Sequence, residues 1–289
     1  YFLYLKLLVL SLLFRKNLSI DKNKVYASVI LHMEISDILL KLKNNEISVK
    51  DAQLQLRLNN YESVLDIAKV DIHRMKRVGI PEAIIADCKT CEEVASIAHV
   101  HLEKEGRVII TRVREENYAT LKSLAEETKS KIRWEKRARI IIIGETLTRS
   151  GGKIGVISAG TADIPVAEEA KVIAEEMGCA VSVIYDVGVA GIHRLFPELT
   201  KLVKAGVDAI VVAAGREGTL PTIVSGLVDV PVIGVPVSTG YGAGGKGEAA
   251  LLSMLQSCSV LTVVNIDAGF TAGAFAARIA NLAAKNRTL

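Results

Sequence analysis

The second half of the chain predicts an α/β fold, in which a parallel β-sheet is covered by helices on both faces. Five short runs rich in Val and Ile are apolar along most of their length, helical segments separate them, and each ends in glycine or polar residues. Short strands without polar alternation are typical of parallel strands buried on both faces. The runs are Lys153–Gly160, Ala180–Gly188, Ala209–Gly215, Pro231–Val237 and Val260–Gly269.

Composition supports a globular protein. The chain has 289 residues, of which 50% are hydrophobic and only 4% aromatic, so one large or two modest domains would depend on aliphatic packing. The net charge of +4 is scattered, and no basic block is interleaved with aromatic residues, which argues against nucleic-acid binding. Four cysteines at low density indicate a reducing compartment, and we expect a cytoplasmic location.

The amino-terminal stretch YFLYLKLLVLSLLF resembles a membrane segment only superficially. As a helix it would cover about 21 Å, whereas the hydrocarbon core measures about 30 Å, and Lys6 interrupts it. Basic residues follow the apolar run instead of preceding it, unlike a signal peptide. We therefore expect no membrane association. Because Met33 opens an amphipathic helical segment, we interpret residues 1–32 as translated upstream sequence.

Residues 33–148 predict a smaller, mostly helical α/β domain. Helical patterns cover about 34–46, 49–58, 91–104 and 115–127, and one strand-like run covers 107–113. The segment RSGGK at 149–153 is the best candidate linker. We therefore expect a second, catalytic domain over 149–289.

The first domain contains a CxxC pair and three histidines that suggest metal or redox chemistry. Cys88 and Cys91 lack a second cysteine pair, so we interpret their spacing as coincidence. His73, His99 and His101 are interpreted as packing or surface residues, and Trp134 is likewise expected to pack. No metal-ligand set is predicted.

The carboxyl ends of the five predicted strands carry the candidate site residues, because ligands bind at that edge of open α/β sheets. After the first run, Ser158, Thr161 and Asp163 precede a helix with proline in its first turn, where backbone N–H groups favour a phosphate. Asp163 either caps this helix or contacts ligand, and the two roles are compatible.

The second and third runs end in further candidate groups. Asp186, His193 and Arg194 lie among glycines, where a histidine serves either as a general acid–base group or as a structural residue. The arginine offers a fork for carboxylate or phosphate. Gly215 and Glu217 follow the third run, and the glutamate is either a helix cap or a base or ribose partner.

The last two runs lead to a glycine-rich loop and a cysteine. Five glycines fall within residues 240–248, which suits a loop over phosphates but lacks Walker A spacing. Candidate binding residues in this loop are Gly240, Gly242, Gly245 and Lys246. Cys258 precedes the fifth run and taken alone is an ordinary packing residue, while Asn265 and Asp267 end that run on the expected ligand edge.

Together these motifs resemble the LarB family of nicotinic acid adenine dinucleotide carboxylase/hydrolases. The resemblance extends from Met33 to the carboxyl terminus and is densest in SAGTADIPVAEEA, YDVGVAGIHRL, AGREGTLPTIVSGLVDVPVIGVPVSTGYG, GGKGEAALLSMLQSCS and VVNIDAGF. Its second half is also similar to PurE-type aminoimidazole ribonucleotide enzymes, so the resemblance implies a three-layer flavodoxin-like or PurE-like sheet. The chain departs from the expected family pattern at Ala268 and Thr271.

The resemblance implies a reaction and roles for the site residues. Cys258 would add to the pyridinium ring, a neighbouring ring carbon would attack CO2, and pyrophosphate hydrolysis would release AMP. Glu217 would accept a proton or hold the ribose, His193 and Asp163 would act as in PurE-type enzymes, and the glycine-rich loop would bind phosphates. Mg²⁺ is expected as the counter-ion of the phosphates, without an organic cofactor. A homo-oligomer is expected, and PurE-like domains imply an octamer.

Two other functions stay open at this point. A PurE-type carboxylase or mutase would share the sheet and the histidine loop but would need neither Cys258 nor the extension over 33–145. A non-catalytic nucleotide-binding or assembly protein would share the fold without the reaction.

Overall fold

The computed structural model describes residues 35–58, 62–64, 68–71, 74–145 and 147–287. Contacts divide the chain into two compact units, residues 1–61 and 62–289. Within the first unit, helices α1 (Ile35–Lys43) and α2 (Val49–Leu58) occupy the two predicted helical segments. The interpretation of residues 1–32 and that of His73 lie outside the described residues, and the domain boundary between 148 and 149 stays a prediction.

The first part of the second unit is built on a mixed four-stranded sheet. Its elements and those beside it are β1 (Glu62–Val64), β2 (Ala68–Val70), α3 (Arg74–Val78), β3 (Ala83–Ile85), α4 (Cys91–Glu105), β4 (Arg107–Thr111), α5 (Glu115–Glu127), β5 (Ile132–Glu135) and β6 (Ile140–Gly144). The sheet order is β3–β4–β6–β5, in which β3 and β4 are parallel and the other pairs are antiparallel. A separate antiparallel pair joins β1 to β2.

The smaller α/β domain is mostly helical as predicted, and its sheet adds further strands to the one strand-like run predicted over 107–113. The hairpin β5–β6 was not predicted from the sequence, and a basic turn separates its two strands. Arg139 in that turn has a φ of 53°, a left-handed conformation that reverses the chain. The four consecutive isoleucines of β6 alternate between two covered faces: Ile141 and Ile143 pack with α4 and α5, whereas Ile140 and Ile142 belong to the core shared with the second sheet.

The second part contains a five-stranded, wholly parallel sheet between two layers of helices. The elements are β7 (Lys153–Ser158), α6 (Ile164–Glu176), β8 (Ala180–Ile184), α7 (Leu195–Ala205), β9 (Ala209–Ala214), α8 (Leu220–Ser225), β10 (Val232–Pro236), α9 (Glu248–Leu255), β11 (Thr262–Val263) and α10 (Gly269–Arg287). The strand order is β11–β10–β9–β7–β8. Helices α6 and α10 cover one face, and α7, α8 and α9 cover the other. This confirms the predicted α/β class and the three-layer parallel sheet.

Strand β9 shows why its apolar run is uninterrupted. All six of its residues are buried, and they alternate between the core under α6 and α10 and the core under α7 and α8. Helices α6 and α10 pack closely, since a Cβ at Gly273 would lie 2.2 Å from the carbonyl oxygen of Ala170. This contact helps to fix the starts of both helices at the carboxyl edge of the sheet.

Polar contacts join the mixed sheet to helix α6. The buried Glu176 carboxylate pairs with Arg107 and Arg133, which offsets the cost of removing it from water. The Thr111 hydroxyl donates to Glu169 Oε1 at 2.5 Å. Burial nevertheless raises the pKa of Glu169 above its ordinary value. The layers are therefore held together by paired charges as well as by aliphatic packing.

Among the helices of the described residues, none has both the length and the apolar character needed to cross a membrane. Trp134 packs as predicted, with its ring stacked on Tyr118 at a centroid distance of 4.5 Å.

Candidate functional site

A cavity of about 520 Å³ lies at the carboxyl edge of the parallel sheet. The loops that follow β7, β8, β9 and β10 all contribute to its wall, which is where ligands bind in open α/β sheets. Its size falls within the range of pockets that bind small molecules. Residues predicted from the sequence that line it include Thr161, Asp163, Asp186, Arg194, Gly215 and Glu217.

Asp163 joins the loops that form the floor of the cavity. Its side chain is only 5% exposed. Its Oδ2 accepts a hydrogen bond from the Gly160 N–H at 2.8 Å, and Oδ1 accepts from the Gly215 N–H at 3.1 Å and from Thr239 Oγ1 at 2.9 Å. Asp163 makes no side-chain cap as the N-cap of α6, but its bond to the Gly160 N–H caps the 3-10 turn (Thr161–Asp163) that leads into this helix. The same carboxylate also ties three strand ends together.

The electrostatics of Asp163 reflect its burial. Removal from water raises the pKa of this carboxyl above its ordinary value, and the nearby Asp267 carboxylate raises it further. The three hydrogen bonds oppose this shift because they favour the ionised form. Both carboxylate oxygens of Asp163 therefore accept hydrogen bonds within the chain, and its main role is to position the loops of the cavity floor.

Position 215 requires glycine because neighbouring side chains leave no room for a Cβ atom, and not because the backbone makes a turn there. A Cβ at this position would lie 2.5 Å from Thr239 Oγ1 and 3.0 Å from Asp163 Oδ1. Any larger residue would therefore displace the hydroxyl or the carboxylate that it contacts. The glycine lets strand β9 end directly against the Asp163 carboxylate.

The loop after β8 places one ion pair in the cavity wall. Arg194 Nη1 lies 2.8 Å from Asp186 Oδ2, and both side chains line the cavity. Asp186 has a φ of 57°, a left-handed conformation uncommon outside glycine. Two predicted residues lie outside this wall: His193 is exposed on the adjacent 3-10 turn, and Ser158 is wholly buried, where its Oγ accepts from the Asp186 N–H at 3.3 Å.

Glu217 is the most available acid in the cavity. It is exposed, lines the wall, and makes no hydrogen bond or ion pair with another residue that the structure describes. Its neighbour Arg216 also lines the cavity. Arg216 was not among the predicted site residues, which in the GREG motif were Gly215 and Glu217. Arg216 has a left-handed φ of 53°, and this conformation has no signal in the sequence.

Apart from Thr239, the described residues of the loops after β10 and β11 lie beyond the cavity wall. Asp267 Oδ1 accepts from the Ser238 N–H at 2.9 Å, so it fixes the start of the glycine-rich loop. Asn265 Oδ1 accepts from the N–H of the next residue. Among the described residues, the predicted phosphate ligands of the glycine-rich loop do not line the cavity; they are Gly240, Gly242, Gly245 and Lys246. The Lys246 side chain is exposed.

Cys258 lies at the opposite edge of the sheet. It is exposed and falls between the end of α9 and the start of β11, where strands enter the sheet. The neighbouring Ser257 hydroxyl accepts from Thr222 Oγ1 at 3.0 Å, which ties this loop to α8. Within one chain, the structure does not bring Cys258 together with Asp163 and Glu217.

In the described part of the chain, no cluster of three or more His, Cys, Asp or Glu side chains could hold a metal ion. Cys88 and Cys91 are both free thiols, at the entry to α4.

Comparisons with known families match almost the whole second unit. A family model described as a LarB/PurE-like N-terminal domain matches residues 61–145, and one described as AIR carboxylase matches residues 153–288. Both models therefore match one chain, in this order.

Individual relatives agree with these matches. An uncharacterized protein of Methanocaldococcus jannaschii is 41% identical over 257 residues, which cover 86% of this chain and 97% of the relative. N5-carboxyaminoimidazole ribonucleotide mutases are similar to the second half alone. The Pyrococcus horikoshii mutase is 33% identical over 44% of this chain and 71% of its own length, and the Thermotoga maritima mutase is 30% identical over 44% and 74%.

Proposed function

We propose, since the chain belongs to the LarB family and carries a PurE-like domain, that it carboxylates the pyridinium ring of nicotinic acid adenine dinucleotide and hydrolyses its pyrophosphate. The products are pyridinium-3,5-biscarboxylic acid mononucleotide and AMP, in the first step of nickel-pincer nucleotide cofactor biosynthesis. The observation that carries this proposal is the match of one chain to both family models. A PurE-type function alone accounts only for the second of them.

The cavity supports a substrate with a cationic ring and phosphates. Asp163 and Glu217 are acidic groups of its wall, and Glu217 is free to face a pyridinium cation. Arg194 and Arg216 supply guanidinium groups to the same wall, where they suit phosphate oxygens. Acids and cations are therefore both available around one ligand.

The proposed carboxylation uses a thiolate and a base. The Cys258 thiolate supplies the electron pair for a bond to a carbon of the pyridinium ring. The ring thereby loses its aromaticity, and a neighbouring ring carbon becomes nucleophilic. That carbon forms a bond to CO2 and becomes tetrahedral. Glu217 then takes its proton, and the released electron pair restores the aromatic ring and expels the thiolate. Water attacks the pyrophosphate in the hydrolytic step, and AMP leaves.

The position of Cys258 makes this proposal depend on a second copy of the chain. The thiol and the cavity lie at opposite edges of the sheet, so we infer that Cys258 reaches the cavity of another copy. The surface around it suits such a contact, because Leu252, Leu255 and Val260 are exposed and Val260 is 97% exposed. A homo-oligomer is thus part of the proposed function, and the resemblance to PurE-like domains implies an octamer.

Mg²⁺ is assigned to the substrate alone. The described residues contain no cluster of side chains that would hold a metal ion of the protein's own. We propose that the ion accompanies the pyrophosphate, as magnesium commonly binds through substrate phosphates with few protein ligands. No step of the proposed reaction passes through it.

A second candidate function is a PurE-type reaction on aminoimidazole ribonucleotide. It is favoured by the names of the relatives that match the second half, which are N5-carboxyaminoimidazole ribonucleotide mutases. Such an enzyme would use His193 and Asp163 and would not need Cys258.

Mass spectrometry of reaction products tests the proposal. The purified chain is incubated with nicotinic acid adenine dinucleotide, bicarbonate as a source of CO2, and Mg²⁺. A doubly carboxylated pyridinium mononucleotide and AMP are expected. Cys258→Ser abolishes this product, whereas Cys88→Ser, which changes another exposed thiol, leaves it unchanged.

Two other outcomes overturn the proposal. Intact dinucleotide together with turnover of aminoimidazole ribonucleotide in a parallel reaction transfers the function to the PurE type. No turnover of either substrate, with nucleotide binding retained equally by wild type and Cys258→Ser, indicates a binding or assembly protein.

A further inference from the structure

An exposed aromatic ring and a guanidinium meet beside the cavity. The Cζ atom of Arg216 lies 4.3 Å from the centroid of the Tyr241 ring. The tyrosine is 76% exposed, although large aromatic side chains usually gain stability by burial. The arginine side chain lines the cavity and makes no hydrogen bond or ion pair with another residue that the structure describes. Among the described residues, the Tyr241 ring is therefore the interaction partner of this guanidinium.

Two neighbouring strands present this pair. Arg216 follows β9, and Tyr241 lies in the glycine-rich loop after β10, which pairs with β9 in parallel. Arg216 has a left-handed φ of 53°, which is uncommon for a residue other than glycine. Such conformations cluster at ligand sites, where the surrounding structure holds them.

The chemistry of the pair fits one half of a nucleotide. A guanidinium stacked on a ring keeps its N–H edge free, and that edge binds phosphate oxygens in a fork. An exposed tyrosine ring also offers a face on which a nucleic-acid base can stack. Stacking and phosphate binding side by side are what a base attached through ribose to a phosphate requires.

The charges decide which half of the proposed dinucleotide fits. The pyridinium ring is cationic, so the Arg216 guanidinium repels it, whereas Asp163 and Glu217 on the cavity wall attract it. Adenine is neutral and has no such conflict. We propose that Tyr241 stacks the adenine ring of the substrate and that Arg216 binds the adjacent phosphate; this assignment of substrate halves rests on the proposed function.

Binding of fragments to the full-length protein tests this assignment without any turnover. Affinities for AMP, ribose 5-phosphate and nicotinic acid mononucleotide are measured by calorimetry at one fixed salt concentration. Tyr241→Leu is expected to weaken AMP binding about 10-fold and to leave ribose 5-phosphate binding unchanged, since loss of one base stack has that magnitude. Tyr241→Phe, which keeps the ring, retains wild-type affinity for AMP.

Arg216→Lys separates the phosphate contact from the stack. It is expected to weaken AMP and ribose 5-phosphate alike, because both carry the phosphate that the planar fork binds. Melting temperatures of all three variants should match that of the wild type, since both side chains are exposed.

Three results would overturn the assignment. These are wild-type protein that binds no AMP, a Tyr241→Leu variant with unchanged AMP affinity, and a Tyr241→Leu variant in which nicotinic acid mononucleotide loses more affinity than AMP. The proposed function fails separately, if no carboxylated product forms, and the adenine site would then stand as a nucleotide site of another reaction.

Discussion

The two edges of the parallel sheet are built differently. At the carboxyl edge, left-handed residues other than glycine follow four of the five strands, and they are Asp186, Arg216, Lys246 and Asp267. The described loops that enter the strands at the amino edge contain no such residue. The left-handed residues other than glycine and the cavity are thus concentrated at one edge. The other edge offers the exposed Cys258.

Because of this difference, the residues proposed to bind nucleotide and the proposed nucleophile lie at opposite edges of the sheet. One chain supplies the wall of the cavity, in which Glu217 is an exposed acid. The thiol of the proposed reaction lies at the other edge of the sheet, near exposed apolar residues. A single copy is therefore expected to bind nucleotide, while the reaction is expected to require two.

The largest effect is expected at the free acid of the cavity. Glu217→Gln removes the proposed proton acceptor without changing its shape, and turnover should fall about 10²- to 10⁴-fold. Glu126→Gln, which changes an exposed carboxylate on α5, serves as the control and should keep full activity. Initial rates of AMP release and of the carboxylated product measure the effect. Wild-type rates in Glu217→Gln would show that the carboxyl edge does not supply the base.

The next effect concerns the floor of the cavity. Gly215→Ala places a methyl group against Thr239 and Asp163 and should lower the free energy of unfolding by about 1–3 kcal/mol. Gly226→Ala is the matched control, because its added Cβ would have ordinary contacts of 3.6 Å. Urea unfolding measures both. Equal stability of the two variants would mean that the close contact at Gly215 is not needed.

Asp163 should give the cavity floor a pH-dependent stability. Burial raises its pKa above 3.8 in the folded chain, so folding favours the protonated form. Its contribution to the free energy of unfolding is fully present below pH 3.8 and is lost as pH rises through the raised pKa. The stability of the wild type relative to Asp163→Asn should therefore fall with rising pH and then level off.

Urea unfolding of both proteins from about pH 3 to about pH 7 measures this difference. The loss of the Gly160 hydrogen bond in Asp163→Asn adds an offset that does not change with pH. A difference that rises with pH would show that the hydrogen bonds outweigh burial.

The smallest effect is expected at the exposed ion pair of the cavity wall. Asp186→Asn breaks the contact with Arg194, whose side chain is 41% exposed, and should change the free energy of unfolding by less than about 1 kcal/mol. The change should shrink further at high salt. Thermal unfolding at low and high salt measures it. A loss of several kcal/mol that persists at high salt would contradict the expectation that this exposed ion pair contributes little to stability.

The sequence predicted the parallel sheet because its strands are buried on both faces, and β9 is the clearest case. The same physical rule applies to β6, which was not among the predicted strands. Asp163 was predicted to cap a helix or to contact ligand, whereas its hydrogen bonds to Gly215 and Thr239 join residues distant in sequence. Contacts of this kind have no local pattern.

The position of Cys258 was available from chain order alone. A residue between a crossover helix and the next parallel strand must lie at the amino edge, since the helix returns the chain to that edge. The family resemblance implied a role for Cys258 from its residue type alone. Its location at the amino edge of the sheet was not predicted. Arg216 and Tyr241 could not be paired from the sequence, because their contact depends on the register of β9 and β10.

Complementation between two inactive variants tests the two-edge account most directly. Glu217→Gln and Cys258→Ser are coexpressed with different tags, and the mixed oligomers are isolated and assayed for the carboxylated product. If the acid and the thiol come from different copies, each two-fold interface between unlike copies has one site with both intact groups and one site with neither. Activity of about one quarter of wild type is expected when larger oligomers assemble at random, and about one half for an isolated mixed dimer. Mixed oligomers that bind AMP but stay as inactive as either single variant would contradict it.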